Sequence, residues 1–199
     1  MASALRKFRL RGNGRTPSPR TIWRDDRGVA AIEFALLLPV LVVLMIGCLE
    51  VTMKIWSTQK AEKLSVTLAD VIAQSQTVTK SDLTKLTGSV DRIMDPFPFG
   101  TNGVVIISSV YRAQDTEEVK VNWQFKTTGS LTVASKIGLE GDDATLPDEL
   151  TLNERENVIV AEVFYKYKPI APGLMFDEAV VYRRAFFKPR LGALTEKPV

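Results

Sequence analysis

Apolar and polar residues are distributed unevenly along the 199-residue chain. Residues 1–20 show no hydrophobic period. They are rich in Arg, Gly, Pro and Ser, as in Arg11-Gly12-Asn13-Gly14-Arg15-Thr16-Pro17-Ser18-Pro19-Arg20, a composition that predicts disorder. From Val29 to Leu49 the chain is apolar for 21 residues, and Glu33 is the only charge among them. A helix crossing a bilayer core needs about 20 residues, so this run is long enough to span. The pattern does not stop at Leu49. It passes Glu50 and continues with Ala61, Leu64, Leu68, Val71 and Ile72 at helical spacing, to near Gln76. One long helix is predicted, apolar all round in its first half and amphipathic in its second. Pro39 lies inside it and removes one backbone donor.

A shorter helix is predicted next. Thr79-Lys80-Ser81-Asp82 resembles a capping box, Leu83, Leu86, Val90 and Ile93 give one apolar face, and Asp95-Pro96 ends it. After Asn102-Gly103 the period changes to two. Val104–Arg112, Val119–Phe125, Val158–Tyr167 and Val180–Phe187 read as strands. In the second of these Val119, Val121, Trp123 and Phe125 alternate with polar residues, which predicts a half-buried strand with Trp123 inside. Residues 129–155 read as a long polar loop. The expected fold class is α+β: a long N-terminal transmembrane and amphipathic helix packed on an antiparallel sheet of about four strands, plus one short helix. Three segments are expected: a basic leader at 1–28, a transmembrane half-helix at 29–57 and an exported α+β domain at 58–199.

Charge supports that division. The first 28 residues carry eight Lys or Arg and two Asp, net +6, and the remaining 171 carry net −3. The sequence pI of about 9.0 is thus the property of one tail. It gives no support to nucleic-acid binding by the folded part. Lys and Arg beside a span stay in the cytoplasm, which places the N-terminus there and the C-terminal domain in the periplasm.

The chemistry available is narrow. The chain has no His and a single Cys, Cys48. The commonest general base and metal ligand is therefore missing, and no intrachain disulfide is possible. No Ser-His-Asp set, phosphate loop or zinc motif is present. No catalytic residue, metal site, cofactor or small-molecule substrate is expected. The acids Glu140, Asp142, Asp143, Asp148 and Glu149 lack calcium-loop spacing and read as a solvated loop. Leu44-Met45-Ile46-Gly47-Cys48 faintly resembles a lipoprotein cleavage box, but the apolar segment is too long for a signal region and the helical pattern continues past Cys48.

The string Arg27-Gly28-Val29-Ala30-Ala31-Ile32-Glu33-Phe34 resembles a class III signal, the kind cut by prepilin peptidase. Together with Pro39, Gly47 and Glu50 it resembles the TadE/TadG-like family of the tight-adherence type IV pilus, and the chain's length is nearer the short TadE type. Further echoes lie in Leu68-Ala69-Asp70, Val121-Asn122-Trp123, Ala161–Tyr167 and Pro189-Arg190. The resemblance implies a pilin-like fold and a structural, non-enzymatic role as a minor pilin or pseudopilin. It implies cleavage between Gly28 and Val29, and pairing of Glu33 with the freed Val29 amine of a neighbouring subunit. The partners it implies are the bacterial inner membrane, prepilin peptidase, other pilins and the pilus assembly machinery, with an extracellular filament as a further destination. A buried carboxylate needs such a cationic partner. Two alternatives stand beside this reading: an uncleaved single-pass membrane protein with a periplasmic partner-binding domain, and a Glu33 that snorkels to the interface without a partner.

Overall fold

The computed structural model describes residues 28–127, 131–173 and 175–199. The chain divides into two compact units, the first ending at Met45 and the second running from Ile46 to Val199. The basic leader expected at 1–28 lies outside the described residues up to Arg27. Helix α1 runs from Val29 to Ala73, unbroken through Pro39. In the first unit every described residue is exposed, as an apolar helix without a protein neighbour must be.

In the second unit α1 has a clear inner stripe. Gly47, Glu50, Ser57, Ala61, Leu64, Ser65, Leu68, Ala69, Ile72 and Ala73 are buried. Steps of three and four keep them on one face. Many are small, so the helix lies close to the sheet. Val71, expected on this stripe, is instead exposed, and Ala69 and Ile72 take the inner positions.

The single short helix of the sequence reading is two short pieces, α2 (Lys80–Thr87) and α3 (Val90–Met94), and a further short helix, α4 (Phe99–Asn102), follows beyond Asp95-Pro96. Gly88 stops α2, its N–H bonding back to the carbonyls of Thr84 and Leu86. The predicted capping box is present: the Asp82 N–H donates to the Thr79 hydroxyl at 3.2 Å, and the Thr79 N–H donates to the Asp82 carboxylate at 3.2 Å.

Strands β1 (Gly103–Arg112), β2 (Val119–Lys126), β3 (Asn157–Tyr167) and β4 (Ala179–Phe187) form one antiparallel sheet in the order β2-β1-β3-β4. The inner face carries Val105, Ile107, Trp123, Ile159, Ala161, Val163 and Tyr165, which pack with Leu64, Leu68 and Ile72 of α1.

The simple alternation expected of β2 does not hold across its length. Ser109 pairs with Trp123 and Val110 with Val121, so Asn122 is an extra, bulged residue. A bulge moves the residues beyond it to the other face. Trp123 and Phe125 join the core under α1, whereas Val119 and Val121 join a second core on the outer face.

That outer core is covered by the segment read as a polar loop. It is irregular, with one bridge between Lys120 and Asp143. It sets Ile137, Ala144, Leu146, Leu150 and Leu152 against Val110, Val158 and Val160. The two central strands are consequently buried on both faces.

The C-terminal segment straps the second unit together. The Leu194 carbonyl accepts from Trp123 Nε1 at 2.9 Å and from Ser109 Oγ at 2.8 Å. The Arg190 N–H donates to the Ala73 carbonyl at the end of α1 at 2.9 Å. Its guanidinium meets the Asp70 carboxylate at 2.9 Å, and Asn122 donates to the Thr195 carbonyl.

Candidate functional site

Two stretches of α1 carry the residues singled out in the sequence. The first, in the N-terminal unit, holds Gly28, Val29, Glu33, Phe34 and Pro39. Gly28 immediately precedes the helix, is exposed, and has no neighbour within 4 Å of a Cβ built on it. Val29 and Phe34 are 49% and 59% exposed. Glu33 is exposed and makes no hydrogen bond or ion pair among the described residues. The segment therefore presents a free carboxylate on an otherwise apolar helix. A charge in such a setting is expensive in a bilayer and calls for a partner. Pro39 leaves the Ala35 carbonyl without its usual intrahelical donor.

The second stretch, Gly47 to Glu50, belongs to the C-terminal unit, and its role was not evident from the sequence. Glu50 is fully buried. Its Oε1 accepts from the Ala171 N–H at 2.7 Å, and its Oε2 accepts from the Tyr167 hydroxyl at 3.0 Å. Ionised carboxylates are buried only when their oxygens are supplied with donors, and here each oxygen has one. Burial, reinforced by the hydrogen bond to the Glu50 carboxylate and its charge, pushes the Tyr167 phenol up to about 12. The phenol therefore stays protonated and keeps donating at any physiological pH.

Gly47 lies one turn back on the same face. A Cβ there would come within 2.4 Å of Met175 Sδ, so the absent side chain lets the β3–β4 loop close onto the helix. Lys54 completes the contact, its Nζ 4.2 Å from the centre of the Phe176 ring. A pair of residues singled out in the sequence, Gly47 and Glu50, is thus an anchor that fastens helix to sheet loop. The legible signal was a carboxylate on the buried stripe, three residues from a glycine. Its partners Tyr167, Ala171 and Met175 lie more than a hundred residues away and had no such signal.

A second buried carboxylate, Glu162 on β3, also escaped the sequence reading. It accepts from the Lys136 N–H and the Tyr182 hydroxyl, both at 2.9 Å, and from the Ser135 hydroxyl. These bonds pin residues 135–136 to the outer face. Burial, with the Glu162 charge beside it, raises the Tyr182 phenol further still. Both carboxylates are fully committed to structure. Cys48 is exposed on the helix. Among the described residues no group of His, Cys, Asp and Glu is placed to hold a metal ion.

By length and composition α1 is a helix able to cross a membrane. One such helix, continuing as the backing of a four-stranded antiparallel sheet, defines a membrane-anchored α+β protein. The family described as TadE-like protein matches residues 28–65, covering the exposed carboxylate segment and the Gly47–Glu50 anchor. Over that segment the resemblance drawn from the sequence is shown: residues 28–65 are similar to the TadE-like family. No curated protein and no solved structure matches the chain.

Proposed function

We propose that this chain is a minor pilin or pseudopilin of a tight-adherence pilus, anchored by α1 in the bacterial inner membrane. It is inserted with its basic leader in the cytoplasm, and prepilin peptidase cuts it between Gly28 and Val29. The cut removes net +6 and leaves a mature chain of net −3. It also creates an ammonium at Val29, four residues from Glu33.

The observation that carries the proposal is the free, exposed Glu33 on an apolar helix within the TadE-like segment. Every other buried or helix-borne carboxylate described above is occupied by donors, whereas Glu33 has none among the described residues. An ammonium from a neighbouring subunit supplies the missing partner and fixes the stagger between two helices. The role is structural, and the partners are other pilins and the assembly machinery.

Glu33→Gln tests this. The change keeps shape and removes charge. Losing one member of a buried pair costs about 3–5 kcal/mol, enough to abolish a weak intersubunit contact. The variant is expected to insert and be cleaved, yet fail to restore piliation in a strain lacking the protein. Wild-type piliation would instead favour a Glu33 that snorkels without a partner.

A further inference from the structure

The β3–β4 loop, residues 168–178, is rich in apolar residues. From Pro169 to Phe176 eight consecutive residues carry no charge, between Lys168 and Asp177. Ile170 is 67% exposed and Met175 is 53% exposed. Pro172 and Gly173 are exposed as well. Exposed apolar side chains gathered at the tip of one loop mark a contact surface.

The position of the loop indicates what it contacts. Met175 packs on Gly47, and the Ala171 N–H bonds to Glu50. Gly47 belongs to the uncharged part of the run that ends at Leu49. At 1.5 Å per residue, Gly47 lies about 3 Å inside the end of that run. The 21 residues from Val29 to Leu49 make a helix of about 30 Å, the thickness of a hydrocarbon core. A bilayer that holds this run therefore has its headgroup boundary near Leu49, at the level where the loop is fastened. Glu50 would ordinarily be costly at that depth. Here its charge is enclosed by the Tyr167 hydroxyl and the Ala171 N–H, and the loop turns Ile170, Pro172 and Met175 outward.

We propose that Ile170, Pro172 and Met175 of the β3–β4 loop form a second membrane contact, a wedge that enters the headgroup layer of the same bilayer that α1 crosses. The inference rests on the reading of α1 as a membrane span. The occupant of this apolar surface is lipid, because the loop is fastened at Gly47 and Glu50, where the apolar run ends. An open cleft of about 350 Å³ beside the loop, walled by Met53, Phe97, Pro98 and Ile170, extends the surface. The wedge fixes the tilt and rotation of the C-terminal unit on the membrane before assembly, and extraction into a filament has to release it.

The test uses the full chain in vesicles of phosphatidylethanolamine and phosphatidylglycerol. In a Cys48→Ser background, single substitutions Ile170→Cys, Pro172→Cys, Thr116→Cys and Leu41→Cys each receive an environment-sensitive fluorophore. Quenching is measured with a lipid carrying a nitroxide near its headgroup and with aqueous iodide. Residues 170, 172 and 116 are exposed, so the substitutions leave the core untouched. Probes at 170 and 172 are expected to be quenched by the nitroxide lipid, and to be shielded from iodide at least about threefold relative to 116, as for an interfacial apolar segment. Iodide access at 170 and 172 equal to that at 116, with 41 shielded, overturns the wedge and leaves the span standing. Shielding at 170 and 172 without nitroxide quenching means that protein, such as a second copy, covers the loop, and also overturns it. Iodide access at 41 as well overturns the span, and the wedge with it.

Discussion

The Glu50 anchor is the contact whose strength can be worked most directly from the structure. Tyr167→Phe removes one hydroxyl and leaves the ring in the core. Glu50 then keeps the Ala171 N–H on Oε1 but loses the donor to Oε2, which lies 3.0 Å from the phenol. Both side chains are buried, Glu50 at 0% and Tyr167 at 2% exposure. A hydrogen bond to a buried charged group is worth about 1.5–3 kcal/mol. For the C-terminal unit that corresponds to a fall in Tm of about 3–12 °C, at about 2–4 °C per kcal/mol for a chain of this size. Glu50→Ala strips a partner from both the Ala171 N–H and the Tyr167 hydroxyl, and is expected to cost about 2–5 kcal/mol. With Glu50→Ala already made, Tyr167→Phe removes a hydroxyl that has nothing left to bond. Its further cost should be small, so the double-mutant cycle should give a coupling of about 1–3 kcal/mol.

The assay is unfolding of the detergent-solubilised full chain, followed by circular dichroism of the sheet, for the wild type, both singles and the double. A coupling below about 0.5 kcal/mol would show that the two residues are independent, and the anchor would be refuted. A titration gives a second reading of the same pair. Tyr167 is one of four tyrosines. Its folded-state value of about 12 lies above the ordinary 10. The stability this shift contributes is therefore full below pH 10 and is lost as pH rises through about 12. In Glu50→Gln the carboxylate's share disappears while burial persists, so phenol absorbance should titrate at lower pH than in the wild type.

Two further perturbations address the rest of the C-terminal unit. Trp123→Ala should cost about 3–5 kcal/mol in chemical unfolding, because the indole is 1% exposed and its Nε1 donates to Leu194. A loss below about 1 kcal/mol would mean that the Asn122 bulge does not turn Trp123 inward. On the acid side, the hydrogen bond from Lys188, with those from Asn153, holds Glu156 below the ordinary carboxylate value of 4.5, and the Lys166 bond does the same for Glu178. Their contribution is present above that value and is lost as pH falls through the lowered ones. Glu178 is exposed and Glu156 is partly exposed, so the drop in Tm between about pH 7 and about pH 3 should be modest, and smaller in Glu156→Gln than in the wild type.

The long helix, the capping box at Thr79 and the four strands were legible because each is written in local periodicity or in residue types fixed by backbone geometry. The outer core was not legible. Ile137, Ala144, Leu146, Leu150 and Leu152 are spread through a polar segment without a period, and only the sheet they cover makes them a set. The bulge at Asn122 was equally hidden. Val119, Val121, Trp123 and Phe125 alternate as a regular strand does, and the extra residue becomes visible only in the pairing with β1. Gly47 and Glu50 stood out as sequence features, but their partners depend on a β3–β4 loop more than a hundred residues away. Two separate echoes of the family resemblance, Leu68-Ala69-Asp70 and Pro189-Arg190, meet in the Asp70–Arg190 ion pair and in the bond from the Arg190 N–H to Ala73.

The central claim is that Gly28 and Glu33 belong to a processed assembly segment. The measurement that tests it most directly is the intact mass of the protein extracted from membranes of a host with an active prepilin peptidase. The account predicts a chain beginning at Val29, with an unprocessed chain only where the peptidase is absent. A chain that still begins at Met1 or Ala2 in the competent host would contradict it and leave an uncleaved single-pass membrane protein.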